Sequence, residues 1–95
     1  MKKILALCLA LVLSLSGAAF AQTIKIGVFE PASGDNGAGG KQETLGIEYA
    51  NFVVPSVEVG GETFDVELVI ADNQSQTDKA VSAAQSLVDA GVSIV

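Results

Sequence analysis

The chain has 95 residues, with eleven acidic against five basic side chains, one cysteine and no histidine, for a net charge of −6 at pH 7. Without histidine, a His-based triad or a Cys–His pair cannot be built from these residues, and a lone cysteine excludes a disulfide framework and a Cys-based zinc site. The acidic excess leaves no basic stripe for nucleic acid and disfavours docking on anionic lipid.

Lys2 and Lys3 precede an apolar run over positions 4–15, and small residues then lead to Ala19-Phe20-Ala21. This is the three-part layout of a secretory signal, cleaved between Ala21 and Gln22. The run is shorter than the ~20 residues a spanning helix needs. An uncleaved anchor and a buried N-terminal helix are the competing readings. Cys8 follows Leu7 early in the run, where a lipid-anchoring cysteine is not expected. The product is therefore read as exported, to the periplasm or the cell exterior. Cleavage at 21 leaves 74 residues without a thiol, with Lys25, Lys41 and Lys79 against all eleven acids and a net charge of −8.

Residues 24–29 are apolar at both parities except at Lys25, as expected of a strand covered on two faces. Pro31 and four glycines break any period over 31–40. A helix follows from near Gly40 to Phe52 or Val53, with Leu45, Tyr49, Phe52 and Val53 as its expected buried stripe. Pro55 ends it. Val57-Glu58-Val59, Gly60-Gly61 and Glu62-Thr63-Phe64 read as a hairpin, whose second arm runs on as a strand to Asp72. Asn73-Gln74 makes a turn, and Ser75-Gln76-Thr77-Asp78 fits a capping box opening a second helix. That helix reaches about Ala90, with Ala80, Val81, Ala84, Leu87 and Val88 expected to be buried, and Gly91 stops it in a left-handed turn.

A third strand begins at Val92, and the chain stops inside it. Such an ending would leave backbone unpaired, so a longer protein is expected, of which this is the opening part. The order β-α-β-α-β with short links predicts an α/β fold with a parallel three-stranded sheet. Right-handed crossovers put the first strand between the others, order 2-1-3, with one helix on each face and the short hairpin leading into the second strand.

Several chemical motifs can be tested by spacing. A phosphate loop ending on Gly40-Lys41 needs Gly at 35 and Ser or Thr at 42, where the chain has Asp35 and Gln42. The dinucleotide fingerprint G-x-G-x-x-G fails in every register. Asp72, Asn73 and Asp78 form a loose set of oxygen ligands, but a strand end, a turn and a helix cap account for them better. Glu43 and Glu48 fall on the solvated face of the first helix, with Glu43 suited to the dipole at its start. The glycines at 37, 39 and 40 have two readings: their amides approach a small anionic group at the helix start, or they only turn the chain.

Three segments carry a resemblance: P-x-S-G at 31–34, Gly-Lys-Gln at 40–42, and the block A-D-N-Q-S…A-V…A-A-Q…L-V…G-V between Ala71 and Val92. In this order and spacing the chain from Ile24 to Val95 resembles the leucine/isoleucine/valine-binding family of ABC-transporter substrate-binding proteins, which are type I periplasmic binding proteins. The resemblance implies two α/β lobes closing on a small ligand, with residues 22–95 the N-terminal part of the first lobe, truncated in the third strand. It implies a non-enzymatic, cofactor-free and metal-free protein, monomeric at full length, that delivers a branched-chain or related amino acid to an ABC permease. The position before Gly40 often holds an aromatic residue in that family, whereas Gly39 stands here. Ser33, Ala38 and Gly39 are the lining residues the resemblance carries over. An extracellular sensing module of a membrane signalling protein is the alternative function, and a secreted enzyme has no supporting motif.

Overall fold

The computed structural model describes residues 22–95, so the expected signal segment, with Ala21 at its cleavage site, lies outside the described residues. β1 (Gln22–Glu30) pairs in parallel with β3 (Glu62–Asp72), from Gln22 opposite Phe64 to Glu30 opposite Asp72. That register brings both carboxyl ends out at one edge of the sheet. β2 (Ser56–Val59) folds back antiparallel on β3 across Gly60-Gly61. Both glycines have positive φ, 60° and 79°, which suits a two-residue hairpin turn.

The three-stranded sheet is therefore mixed, in the order β1-β3-β2, and not the all-parallel sheet expected from the sequence. Its third full strand is the hairpin arm. The terminal segment contributes one parallel bridge, Ile26 to Ile94, with Gly27 N–H donating to Ile94 and Ser93 N–H to Lys25 at 2.8 Å. The reason is local: Val92 N–H still bonds back to Leu87 at 3.3 Å, so extended pairing begins only at Ser93.

Side chains along β1 and β3 alternate between faces. On one face Ile26, Val66 and Leu68 meet α1 (Gly37–Val53) through Ile47, Ala50 and Asn51, around an apolar groove of ≈ 240 Å³. On the other face α2 (Thr77–Asp89) seats Ala83 and Leu87 against Ala71, with Phe29, Val69 and Val92 packed around them. Lys25 crosses this second face and donates to the Ala90 carbonyl at 3.1 Å, a cation at the negative end of α2.

α1 turns inward a different stripe from the one hydropathy selects, and α2 shares Ala80 and Leu87 with the expected set but not Val81, Ala84 or Val88. Leu45, Tyr49, Phe52 and Val53 are exposed, Phe52 at 81%. The face toward the sheet instead steps through Gly37, Gly40, Thr44, Ile47 and Asn51, and the missing Cβ at Gly40 lets α1 approach the backbone at Pro31. In α2 the inward set is Ala80, Ala83, Leu87 and Ala90, while Val81, Ala84 and Val88 face solvent. The sheet comes close enough there that small side chains fill the space. α1 also starts three residues earlier than expected, which moves Glu43 out of the first turn.

Candidate functional site

The loop after β1 and the turn after β3 meet at the carboxyl edge of the sheet, and the full β1–β3 register is what makes them neighbours. Asp72 ends β3 and acts as the hub. Its carboxylate accepts from Ala32 N–H, the Ser33 hydroxyl and Gln74 N–H, each at 2.8 Å. Ser75 makes the second link, donating its hydroxyl to the Ser33 carbonyl at 2.9 Å and accepting from Asn36 N–H at 3.0 Å. The expected capping box is not formed: α2 starts one residue later than it requires, with Gln76 as N-cap and no side-chain cap bond, and the Ser75 hydroxyl bonds across the gap.

Within the 72–76 turn, Asn73 Oδ1 accepts from Ser75 N–H at 3.0 Å and the Asn73 carbonyl from Gln76 N–H at 3.1 Å. Gln74 and Ser75 both sit in the left-handed region, at φ 58° and 57°. This conformation costs of order 1 kcal/mol for each residue carrying a Cβ. Gly34, itself at φ 77°, lies so close over the Gln74 carbonyl that a Cβ would overlap it. Thus Asp72 and Asn73 do serve a strand end and a turn, and Asp72 holds a second loop as well. Among the described residues no group of three or more potential ligands is arranged for a metal ion.

Hydrogen bonds from Ser33, then Gln74 and Ala32, hold the Asp72 carboxyl below its ordinary value of 3.8. A carboxyl whose pKa falls on folding stabilises the fold above that ordinary value, and the contribution is lost as pH drops through the lower, folded value. Acid should therefore release the loop only below pH 3.8. An NMR titration of the Ala32 amide checks this, and a midpoint at or above the ordinary value would contradict it. Glu30 shifts the other way. A hydrogen bond with Glu43, burial and the Glu43 charge raise it above 4.5. It therefore favours the fold on mild acidification, while Asp72 still holds the loop.

Beside this lock, Pro31, Asp35, Asn36, Gly39, Gly40 and Glu43 line an open cleft of ≈ 400 Å³. Of the residues anticipated from sequence, Gly39 lines the cleft. Ser33 is exposed on the adjoining loop with its hydroxyl donated to Asp72, and Ala38 is exposed in the first turn of α1. Asn36, the N-cap of α1, makes no side-chain bond, so no capping side chain covers the amides of Ala38 and Gly39. Asp35, Asn36 and Glu43 were not singled out as lining residues by sequence. Their i, i+1 and i+8 spacing converges only because the helix begins at Gly37. Carboxylates at 35 and 43, with Glu30 beside them, favour a cationic group over an anion.

A Gly-rich loop at the carboxyl ends of a parallel strand pair, leading into a helix, is where open α/β sheets hold small ligands. Residues 23–95 match the family described as "Periplasmic binding protein". The chain belongs to this family. Searches of curated proteins and of solved structures returned no significant match. Periplasmic binding proteins capture small solutes, are typically exported, and work with a membrane transporter. Among the described residues no helix is long and apolar enough to cross a membrane.

Proposed function

We propose that this periplasmic binding protein is exported by cleavage between Ala21 and Gln22 and captures a branched-chain or related amino acid for an ABC permease. Residues 22–95 supply the N-terminal part of its first lobe. The observation that carries this reading is the cleft beside Gly39 and Gly40, at the carboxyl ends of β1 and β3, in a chain matching the family over residues 23–95.

A zwitterion needs donors for its carboxylate and acceptors for its ammonium. The uncapped amides of Ala38 and Gly39 are suited to the first task. Ser33, whose proton is given to Asp72, keeps oxygen lone pairs for an ammonium, as do the carboxylates of Asp35 and Glu43. Gly39 leaves open space where a side chain would stand, with nothing within 4 Å of an added Cβ, so the pocket here is roomier than one walled by an aromatic residue.

Calorimetry of the full-length protein against aliphatic amino acids, amides and short peptides should show at least one saturable ligand. No heat from any of them would contradict the proposal. N-terminal sequencing of exported material should begin at Gln22, and a mature chain beginning at Met1 would rule out cleavage.

A further inference from the structure

We propose that Asp72 and Ser75 are positioning residues for solute capture: they lock the 31–36 loop to the 72–76 turn, so that the rim of the cleft is set before a solute arrives. The inference rests on the reading of the edge cleft as a solute site, and it concerns residues that do not line that cleft.

Four bonds cross between the two segments. Asp72 takes Ala32 N–H and the Ser33 hydroxyl at 2.8 Å, while Ser75 takes Asn36 N–H at 3.0 Å and gives its own proton to the Ser33 carbonyl at 2.9 Å. The locked loop supplies Pro31, Asp35 and Asn36 to the cleft wall and leads directly into Gly39 and Gly40. Holding it therefore fixes half of the wall and the first turn of α1.

Two features point to positioning beyond ordinary turn-making. Ser75 directly precedes the N-cap Gln76, and its hydroxyl reaches across the gap to the first loop. Gln74 and Ser75 also remain left-handed, although a simple turn would place Gly or Asn there. Strain of this kind persists where the surroundings over-determine it. Here it aims Ser75 Oγ at the first loop and sets the Gln74 carbonyl under Gly34, which has no Cβ to obstruct it. A rim ordered in advance spares the ordering cost on binding, so the lock should act on affinity.

The test uses the full-length protein with Asp72→Ala, Ser75→Ala, Asp72→Asn and Asp78→Asn. Amide hydrogen exchange over 32–36 is measured without solute, and affinity for L-leucine, L-isoleucine and L-valine by calorimetry. Loss of a hydrogen bond to a charged group predicts roughly tenfold faster exchange and roughly tenfold weaker binding in Asp72→Ala. Ser75→Ala should shift both in the same direction, by less, since its bonds are neutral. Asp72→Asn keeps an oxygen acceptor and should recover part of both losses, whereas Asp78→Asn removes a nearby charge outside the lock and should change neither. Unchanged exchange over 32–36 in Asp72→Ala overturns the proposal, and so does a loosened loop with unchanged affinity. Should the wild type bind none of the three amino acids, the branched-chain form of the solute reading falls, and exchange over 32–36 alone then upholds or overturns the lock.

Discussion

Gly40→Ala is expected to destabilise the protein by about 2–3 kcal/mol, or to displace the Pro31 loop by an equivalent strain. An added Cβ would overlap the Pro31 carbonyl and come within 2.8 Å of the Pro31 ring carbons. That carbonyl is backbone, tied to the loop that Asp72 holds at Ala32, and cannot rotate aside. The neighbouring residue supplies the control. Gly39→Ala meets nothing within 4 Å, lies in the first turn of α1, and should gain up to about 1 kcal/mol from helix propensity. Denaturant midpoints of the two variants should move in opposite directions. Equal midpoints would mean that α1 does not approach Pro31 as described.

Leu87→Ala should cost about 3 kcal/mol, the middle of the range for emptying a well-packed core site. Leu87 is 1% exposed and is packed with Ala71 and Ala83 against Phe29, Val69 and Val92. The described core is small: Val28, Ala71, Ala83 and Leu87 are its buried hydrophobic residues. Little nearby volume can collapse into the hole. Chemical denaturation reads the loss directly, and a cost below about 1 kcal/mol would show that α2 is seated differently. Val88→Ala, on the solvent side, should cost far less although valine is also apolar.

Strand and helix positions were legible because their signals are local. Apolar runs rich in β-branched residues mark β1 and β3, Gly60-Gly61 marks the hairpin, and Gly91 at φ 75° closes α2. The inward faces of the helices were harder to read. α1 carries apolar residues on two sides, and the choice between them is made by a close approach at Gly40 that no hydropathy pattern records. α2 presents alanines where valines score higher, since the distance between sheet and helix decides which size fits. The strand count also depended on distance. β2 and the 93–94 bridge add to opposite edges of the sheet, on β3 and on β1, and only the hairpin turn gives β2 a full ladder.

The site divides in the same way. A Gly-rich loop at the end of the first strand was visible as sequence, and so was the Asp72-Asn73 strand end. That these two segments bond to each other follows from the parallel register, which sets Glu30 beside Asp72. Ser33 was read as a lining hydroxyl, whereas the proton of that hydroxyl is engaged with Asp72. Ser75 was read as a helix cap, a local role that loses to two longer-range bonds.

The central claim is that an amino-acid solute binds at the carboxyl edge of β1 and β3. An NMR titration of the labelled full-length protein with the amino acid that binds most tightly tests it directly. The account predicts that the largest amide shifts fall on residues 31–43, with Ala38 and Gly39 among them. Saturable binding that leaves this segment silent while other amides move would contradict it.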